Sequence, residues 1–186
     1  MNYVDRLIEA LTQQLCHPWG RDKSGGERVW FLVFDPDKLR AVLARKEAFR
    51  LATEAAGKRW EEIDLSHSFG QWMAGHRYAK RYFARPNLAT TIAEDYATDL
   101  AEDIMEQIKR RHIDEETLLV ITGTEALYGI LKLSHITRLI EDNVPGRLLV
   151  FFPGEYREPQ YRFLDARDGW NYLAIPIVPV SGRVSS

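Results

Sequence analysis

Apolar residues along the chain alternate between the spacing of helices and that of strands. In the first segment they recur every three or four residues, as on one face of an amphipathic helix: Val4, Leu7, Ile8, Leu11 and Leu15. Residues 29–34, VWFLVF, form instead an unbroken apolar run, typical of a strand covered on both faces. The first segment is therefore predicted to be a helix that ends near Pro18 and Gly20, and the second a buried strand.

The same two patterns continue to the end of the chain. Further strands are predicted at residues 60–65, 117–123, 148–152 and 171–177, and further helices at 35–56, 68–83, 88–111 and 124–143. Gly57 is placed to end the second helix. This order predicts an α/β fold of three layers, with a mostly parallel sheet of about five strands and helices on both faces.

Three predicted strands end at polar segments. In sheets of this class, ligands bind beyond the carboxyl ends of the strands, and right-handed crossovers place these ends along one edge. The segments gathered there are Asp35-Pro36, Thr122–Glu125 and Pro153–Glu155. Pro153-Gly154 is predicted to end its strand sharply, so that Glu155, Tyr156 and Arg157 lie in a loop beyond the sheet.

Length and composition favour one soluble domain. The 186 residues suffice for a core without disulfides, and we expect a single domain over 1–186 with a frayed tail at about 181–186. Cys16, the one cysteine, allows no disulfide framework, so a cytoplasmic protein is expected. The N-terminal segment lacks a signal-peptide core, and no apolar run approaches the roughly 18 residues of a membrane span.

The segment TGTEALYG, residues 122–129, is the nearest approach to a nucleotide-binding motif. A Walker-type loop has four residues between its glycines and a lysine after the second, whereas here five residues separate Gly123 from Gly129 and Ile130 follows. The simpler interpretation is that Thr122 or Thr124 caps a helix and Gly123 eases the turn. A degenerate nucleotide-binding site or an enzyme site at this edge is kept as an alternative.

Other catalytic signatures are weak. The five histidines are scattered, with no pair at the spacing of helical zinc ligands, and no G-x-S-x-G segment occurs. Asp35 and Glu155 are a candidate carboxylate pair across two strand ends, although strand-end acids also cap helices. We therefore predict no catalytic residues, no metal site and no cofactor.

Residues 75–86, GHRYAKRYFARP, mix basic and aromatic side chains. Such mixtures bind phosphates and stack on bases, which makes Arg77, Lys80, Arg81 and Arg85 a candidate nucleic-acid surface. The next predicted helix is strongly acidic, and the net charge of the chain is −2. Internal pairing or solvation of the basic residues is favoured over DNA contact, which remains the second alternative.

The residues after Pro153-Gly154 are better suited to a protein contact than to a reaction. Glu155, Tyr156 and Arg157 combine an aromatic group with charges of both signs, the composition of an interface anchor. The competing interpretation is that Tyr156 folds back as a cap over the core.

Five segments together resemble one protein family. HPWG (17–20), VWFLVFDP (29–36), TGTEALYG (122–129), FFPGEY (151–156) and the late NY (171–172) are similar, in order and placement, to the BrxB family of bacteriophage-exclusion (BREX) systems. The resemblance implies a small intracellular component of an antiviral defence locus, encoded beside a phosphatase-like protein, PglZ, a DNA methyltransferase and an ATPase. It brings no catalytic residues. We therefore expect a non-catalytic adaptor that binds the PglZ-like protein through Glu155, Tyr156 and Arg157.

Overall fold

Parallel strands form the centre of the fold. The computed structural model describes residues 1–20, 25–75, 84, 89–164 and 170–181. Its strands are β1 (Val29–Phe34), β2 (Arg59–Asp64), β3 (Thr117–Thr122), β4 (Arg147–Arg157), β5 (Gln160–Phe163), β6 (Trp170–Asn171) and β7 (Ile175–Ile177). Five of them pair in the order β2-β3-β4-β1-β7, with every neighbouring pair parallel. Strands β5 and β6 add an antiparallel extension to the far end of β4.

Helices cover both faces of this sheet. In the described part of the chain they are α1 (Tyr3–Leu15), α2 (Leu39–Ala44), α3 (Lys46–Ala55), α4 (Ser68–Gly75), α5 (Ala89–Arg110) and α6 (Leu133–Ile140). Short 3-10 turns lie at Gly25–Arg28, Pro36–Lys38, Thr124–Leu127 and Glu141–Asn143.

The strands supply two separate hydrophobic cores. Along β1, Phe31 belongs to a core shared with α5 and α6, whereas Trp30 and Leu32 belong to a core shared with α1, α2 and α3. Every residue of β1 and β3 is buried, which explains why their sequences show no alternation of apolar and polar residues. The predicted α/β fold with a mostly parallel sheet between helices is confirmed.

Local signals account for the ends of two helices. At the start of α1, the Asn2 side chain accepts a hydrogen bond from the Asp5 backbone and the Asp5 side chain accepts one from Asn2, which forms a capping box. At the end of α3, Gly57 has a left-handed φ of 78°, and Lys58 N–H donates to the Thr53 carbonyl oxygen. The predicted stop at Gly57 is therefore confirmed, as a Schellman motif.

Three predicted elements are divided or shortened in the structure. The predicted helix 35–56 is observed as a 3-10 turn, α2 and α3, and the backbone at Arg45 leaves the helical region between α2 and α3. Within the predicted helix 124–143 only the eight residues of α6 are α-helical, with a 3-10 turn on either side, and Gly129 takes a φ of 76° before α6 begins. The predicted strand 171–177 is divided into β6 and β7. Tyr172 lies between these two strands, and its ring stacks on Phe31.

Other sequence predictions extend beyond the described residues. The predicted helix 68–83 is described as far as Gly75, and most of the predicted tail, residues 182–186, lies outside the described part. No helix among the described residues combines the length and the apolar character needed to cross a bilayer. A single domain over the whole chain stays a prediction.

We predict that Leu149→Asp abolishes soluble expression. Leu149 is fully buried in β4, and placing a carboxylate there costs several kcal/mol, a large part of the stability of a domain of this size. The matched control is Leu173→Asp, because Leu173 is 81% exposed. Soluble yield and thermal melting of both variants measure the effect. A soluble Leu149→Asp protein with unchanged melting would contradict the assignment of β4 as a covered strand.

Candidate functional site

Strand β4 continues past Pro153-Gly154, so the predicted sharp end of the strand at this dipeptide is wrong. Pro153 is the last residue of β4 in register with β1, opposite Phe34. From Gly154 onwards β4 pairs with β5 in the antiparallel direction, with Gly154 opposite Phe163. Glu155, Tyr156 and Arg157 are therefore strand residues of a β hairpin and not residues of a loop.

The Pro-Gly dipeptide fits this exchange of neighbouring strands. The Pro153 carbonyl oxygen accepts a hydrogen bond of 2.8 Å from Leu164 N–H, which closes the open end of the hairpin. A Cβ on Gly154 would overlap the Arg162 carbonyl oxygen, so only glycine allows the two strands to approach this closely. A dipeptide typical of turns thus marks a junction inside one long strand.

The side chains of the hairpin alternate between two faces. Glu155 lies opposite Arg162, Tyr156 opposite Tyr161, and the connection between the strands contains a cis Glu158–Pro159 peptide bond. One face is exposed and polar, and we call it the outer face: Glu155, Arg157, Gln160 and Arg162. The other face packs against the body of the protein: Tyr156, Tyr161 and Phe163. Strand geometry therefore separates Tyr156 from Glu155 and Arg157.

The inner face attaches the hairpin to the core. Tyr161 is fully buried, its ring centroid lies 4.8 Å from that of Phe31, and its hydroxyl donates to the Ala174 carbonyl oxygen at 2.6 Å. Burial raises the pKa of Tyr161 well above its usual value. The half-buried Tyr156 ring lies 4.6 Å from the Tyr161 ring. Tyr156 thus packs against the core, as the core-cap alternative predicts, with part of its ring left exposed.

The outer face presents charges of both signs to solvent. The side chain of Arg157 is 84% exposed and that of Glu155 is 47% exposed, with 3.4 Å between Arg157 Nε and Glu155 Oε2. Arg162, on the neighbouring strand, is also exposed. The structure therefore brings together two of the three predicted partner-binding residues, Glu155 and Arg157, and adds Arg162 to them.

At the carboxyl edge of the sheet, the polar side chains bind other parts of the protein. Thr122 Oγ1 donates to Glu62 Oε1 at 2.7 Å, and the same oxygen accepts from Lys46 Nζ at 2.7 Å. Thr124 Oγ1 donates to the Phe151 carbonyl oxygen at 2.6 Å. The backbone N–H of Asp35, whose side chain is exposed, donates to Tyr3 Oη at 3.0 Å.

The prediction that Thr122 or Thr124 caps a helix is wrong. The segment after β3 is a 3-10 turn, Thr124–Leu127, without a side-chain cap, and α6 begins only at Leu133. Both hydroxyl groups instead bind acceptors on neighbouring strands, which fastens the end of β3 to the sheet.

Gly123 eases the turn as predicted, and it also allows close packing. Its φ is 71°, and a Cβ there would overlap Asp64 Oδ1 and the amide nitrogen of Ser66. Asp64 Oδ1 accepts a hydrogen bond of 2.9 Å from Ser66 N–H. Partial burial alone would raise the pKa of Asp64, but the hydrogen bonds from Ser66, together with the nearby Lys46 and His67, outweigh it and lower the pKa. The space beside Gly123 is thus filled by the loop after β2.

The remaining candidate residues are only partly covered by the structure. Within the described ranges, no three His, Cys, Asp or Glu side chains form a group that could hold a metal ion. The candidate nucleic-acid residues Arg77, Lys80, Arg81 and Arg85 lie outside the described residues. The neighbouring α5 carries an exposed acidic face: Glu94, Asp95, Asp99, Glu102, Asp103 and Glu106.

Sequence reasoning missed a pair of arginines at the amino edge of the sheet. Arg28 and Arg147 each directly precede a buried apolar run. Because β1 and β4 are parallel with Val29 opposite Leu148, Arg28 and Arg147 enter the sheet side by side. The signal lies in the sequence, but it can be used only once the pairing of these two strands is known.

The chain was compared with protein-family models, curated proteins and solved structures, and no match was found.

We predict that Gly123→Ala destabilises the protein more than Gly129→Ala. Both glycines have a left-handed φ, which costs an alanine roughly 1–2 kcal/mol at either position. Only at Gly123 does the added Cβ also meet neighbouring atoms, whereas nothing lies within 4 Å at Gly129. The free energy of unfolding in urea should fall by at least about 1 kcal/mol more for Gly123→Ala. Equal losses would contradict the close packing at Gly123.

Proposed function

We propose that this chain is a non-catalytic adaptor of a BREX antiviral defence complex and that it binds a PglZ-like, phosphatase-family protein. The five segments quoted above support the family and the partner. The outer face of the β4–β5 hairpin supports the place of contact, and it is the observation on which the proposal mainly depends.

The hairpin is suited to binding because it is held in place before any partner arrives. Its first strand continues the fully paired β4, and its second strand is fixed through Tyr161, which is buried and hydrogen-bonded to Ala174. A preorganised surface loses little conformational entropy on binding. The hairpin therefore presents its outer face in a defined geometry.

The charged side chains of the outer face can leave their mutual ion pair and contact a partner at low cost in free energy. The Glu155–Arg157 ion pair is exposed, and such pairs contribute only about 0–1 kcal/mol to folding. Arg157 and Arg162 give the face two cations for one carboxylate, so its complement is a mainly acidic surface. Arginine is also enriched among the residues that dominate interface energetics.

Tyr156 contributes to the proposed contact only through its exposed part. Its ring packs against Tyr161 and the hydrophobic core of this chain, so this part of the ring is not available to a partner. Its truncation would loosen the hairpin as well as remove a contact. Glu155 and Arg157 are therefore the residues that test the interface without disturbing the fold.

The geometry of the carboxyl edge favours an adaptor over a nucleotide-binding protein. Strand-end nucleotide sites direct the free N–H groups of a helix N-terminus at phosphate. After β3 the chain forms a 3-10 turn, and the loop containing Asp64 and Ser66 occupies the space beside Gly123.

We predict that the double variant Glu155→Ala/Arg157→Ala binds the PglZ-like protein at least tenfold more weakly, equivalent to about 1.4 kcal/mol or more. Its melting temperature should be unchanged, because both side chains are exposed and their ion pair is weak. Partner affinity is measured by titration calorimetry, and the melting temperature is measured on the same preparation.

The matched control is Glu47→Ala/Arg50→Ala, which removes an exposed ion pair on α3 and leaves the net charge equally unchanged. It should bind the partner like the wild type. If the hairpin variant is folded and retains wild-type affinity, the contact lies elsewhere and the proposed interface is wrong.

A further inference from the structure

A cleft lies at the amino edge of the sheet. It has a volume of about 360 Å³, and its walls include Trp19, Arg28, Glu115, Glu116 and Arg147. This volume is at the lower end of the range of small-ligand sites, roughly 300–1,000 Å³. The cleft lies at the opposite end of β4 from the hairpin, so it is separate from the proposed protein contact.

Arg147 is a buried cation, and among the described residues no anion lies beside it. Only 5% of the residue is exposed, and its guanidinium donates to the carbonyl oxygens of Gly20 at 3.0 Å and Gly146 at 3.2 Å. These acceptors are neutral, and no carboxylate of the described residues lies within ion-pair distance. A buried charge in this situation is costly unless something compensates it.

Arg28 repeats the arrangement beside Arg147. Its guanidinium donates to the carbonyl oxygens of Pro145, at 2.9 Å, and Val144, and among the described residues it likewise has no carboxylate partner. Burial lowers the pKa of Arg147, and the positive charge of Arg28 lowers it further. Two like charges are thus held together, an arrangement that an anion between them would stabilise.

Trp19 holds the cationic wall in position. Its ring lies 5.3 Å from the Arg147 guanidinium carbon and 4.4 Å from Lys58 Nζ, both within the range of cation–π contacts. It also packs edge-on against the buried Trp30. The indole Nε1 of Trp19 is buried and finds no acceptor among the described residues.

The acidic residues of the cleft do not cancel this charge. Glu116 is paired with Lys58, and both Glu115 and Glu116 are exposed, so water and salt screen them. Arg147 is buried and is screened much less. The interior of the cleft therefore favours a negative group even though its rim carries carboxylates.

We propose that the cleft binds an oxyanion, a phosphate or carboxylate group of a small molecule, between Arg28 and Arg147. A guanidinium carries five N–H donors in a planar fork that matches both groups. The carbonyl contacts use only some of these donors and hold each fork in place. The bound oxyanion supplies the counter-charge that the described residues lack.

The experiment follows the indole N–H signals of the full chain by NMR during titration with inorganic phosphate and with glutarate. Sodium chloride keeps the ionic strength constant, and Trp19→Phe assigns the Trp19 signal among those of the five tryptophans. The Trp19 signal should shift and saturate with at least one probe. Arg28→Gln is the main variant, because Arg28 is less buried than Arg147 and its loss disturbs the fold less.

Arg28→Gln should weaken the affinity for that probe at least tenfold. Arg157→Gln, which removes the same charge from the hairpin at the other end of β4, should leave the affinity unchanged. Saturation with phosphate alone identifies a phosphate site, and saturation with glutarate identifies a carboxylate site. An unsaturable shift with both probes, or equal affinities in wild type and Arg28→Gln, would overturn the proposal.

Discussion

Burial of β4 on both faces is the constraint on which both ends of the structure depend. Leu148, Val150 and Phe152 enter one core, Leu149 and Phe151 enter the other, and all are buried. This double burial fixes the register of β4 against β1 and β3. The same register places Arg147 beside Arg28 at one end and, at the other, ends the pairing of β4 with β1 at Pro153, after which β4 pairs with β5.

The two ends of β4 treat charge in opposite ways. At the hairpin, Glu155 and Arg157 are exposed and form a weak ion pair. Replacing this ion pair by contacts with a partner protein costs little free energy. At the amino edge, Arg147 is buried next to another cation, and its guanidinium donates to neutral carbonyl groups and lies over an aromatic ring. A surface of the first kind suits recognition between proteins, whereas a cleft of the second kind suits a small anion.

The central strands were predictable, but the position of the site residues was not. Runs such as VWFLVF show no alternation because both faces are buried, and this is readable from the sequence alone. Pro153-Gly154 is typical of a turn, but here β4 changes its neighbouring strand from β1 to β5 at this dipeptide. That change depends on the later segment 160–163 and cannot be read from the dipeptide. Tyr156 lies on the opposite face from Glu155 and Arg157 because these residues form a strand with β5. Arg28 lies beside Arg147 because of the register between β1 and β4. Neither is a local property of the sequence.

Hydrogen–deuterium exchange of the chain, with and without the PglZ-like protein, tests the adaptor account most directly. If the hairpin is the contact, exchange over residues 154–163 slows in the complex, and exchange at the edge strand β2 (Arg59–Asp64) is unchanged. Protection confined to α1, to β2 or to residues 76–88, with an unchanged hairpin, would contradict it.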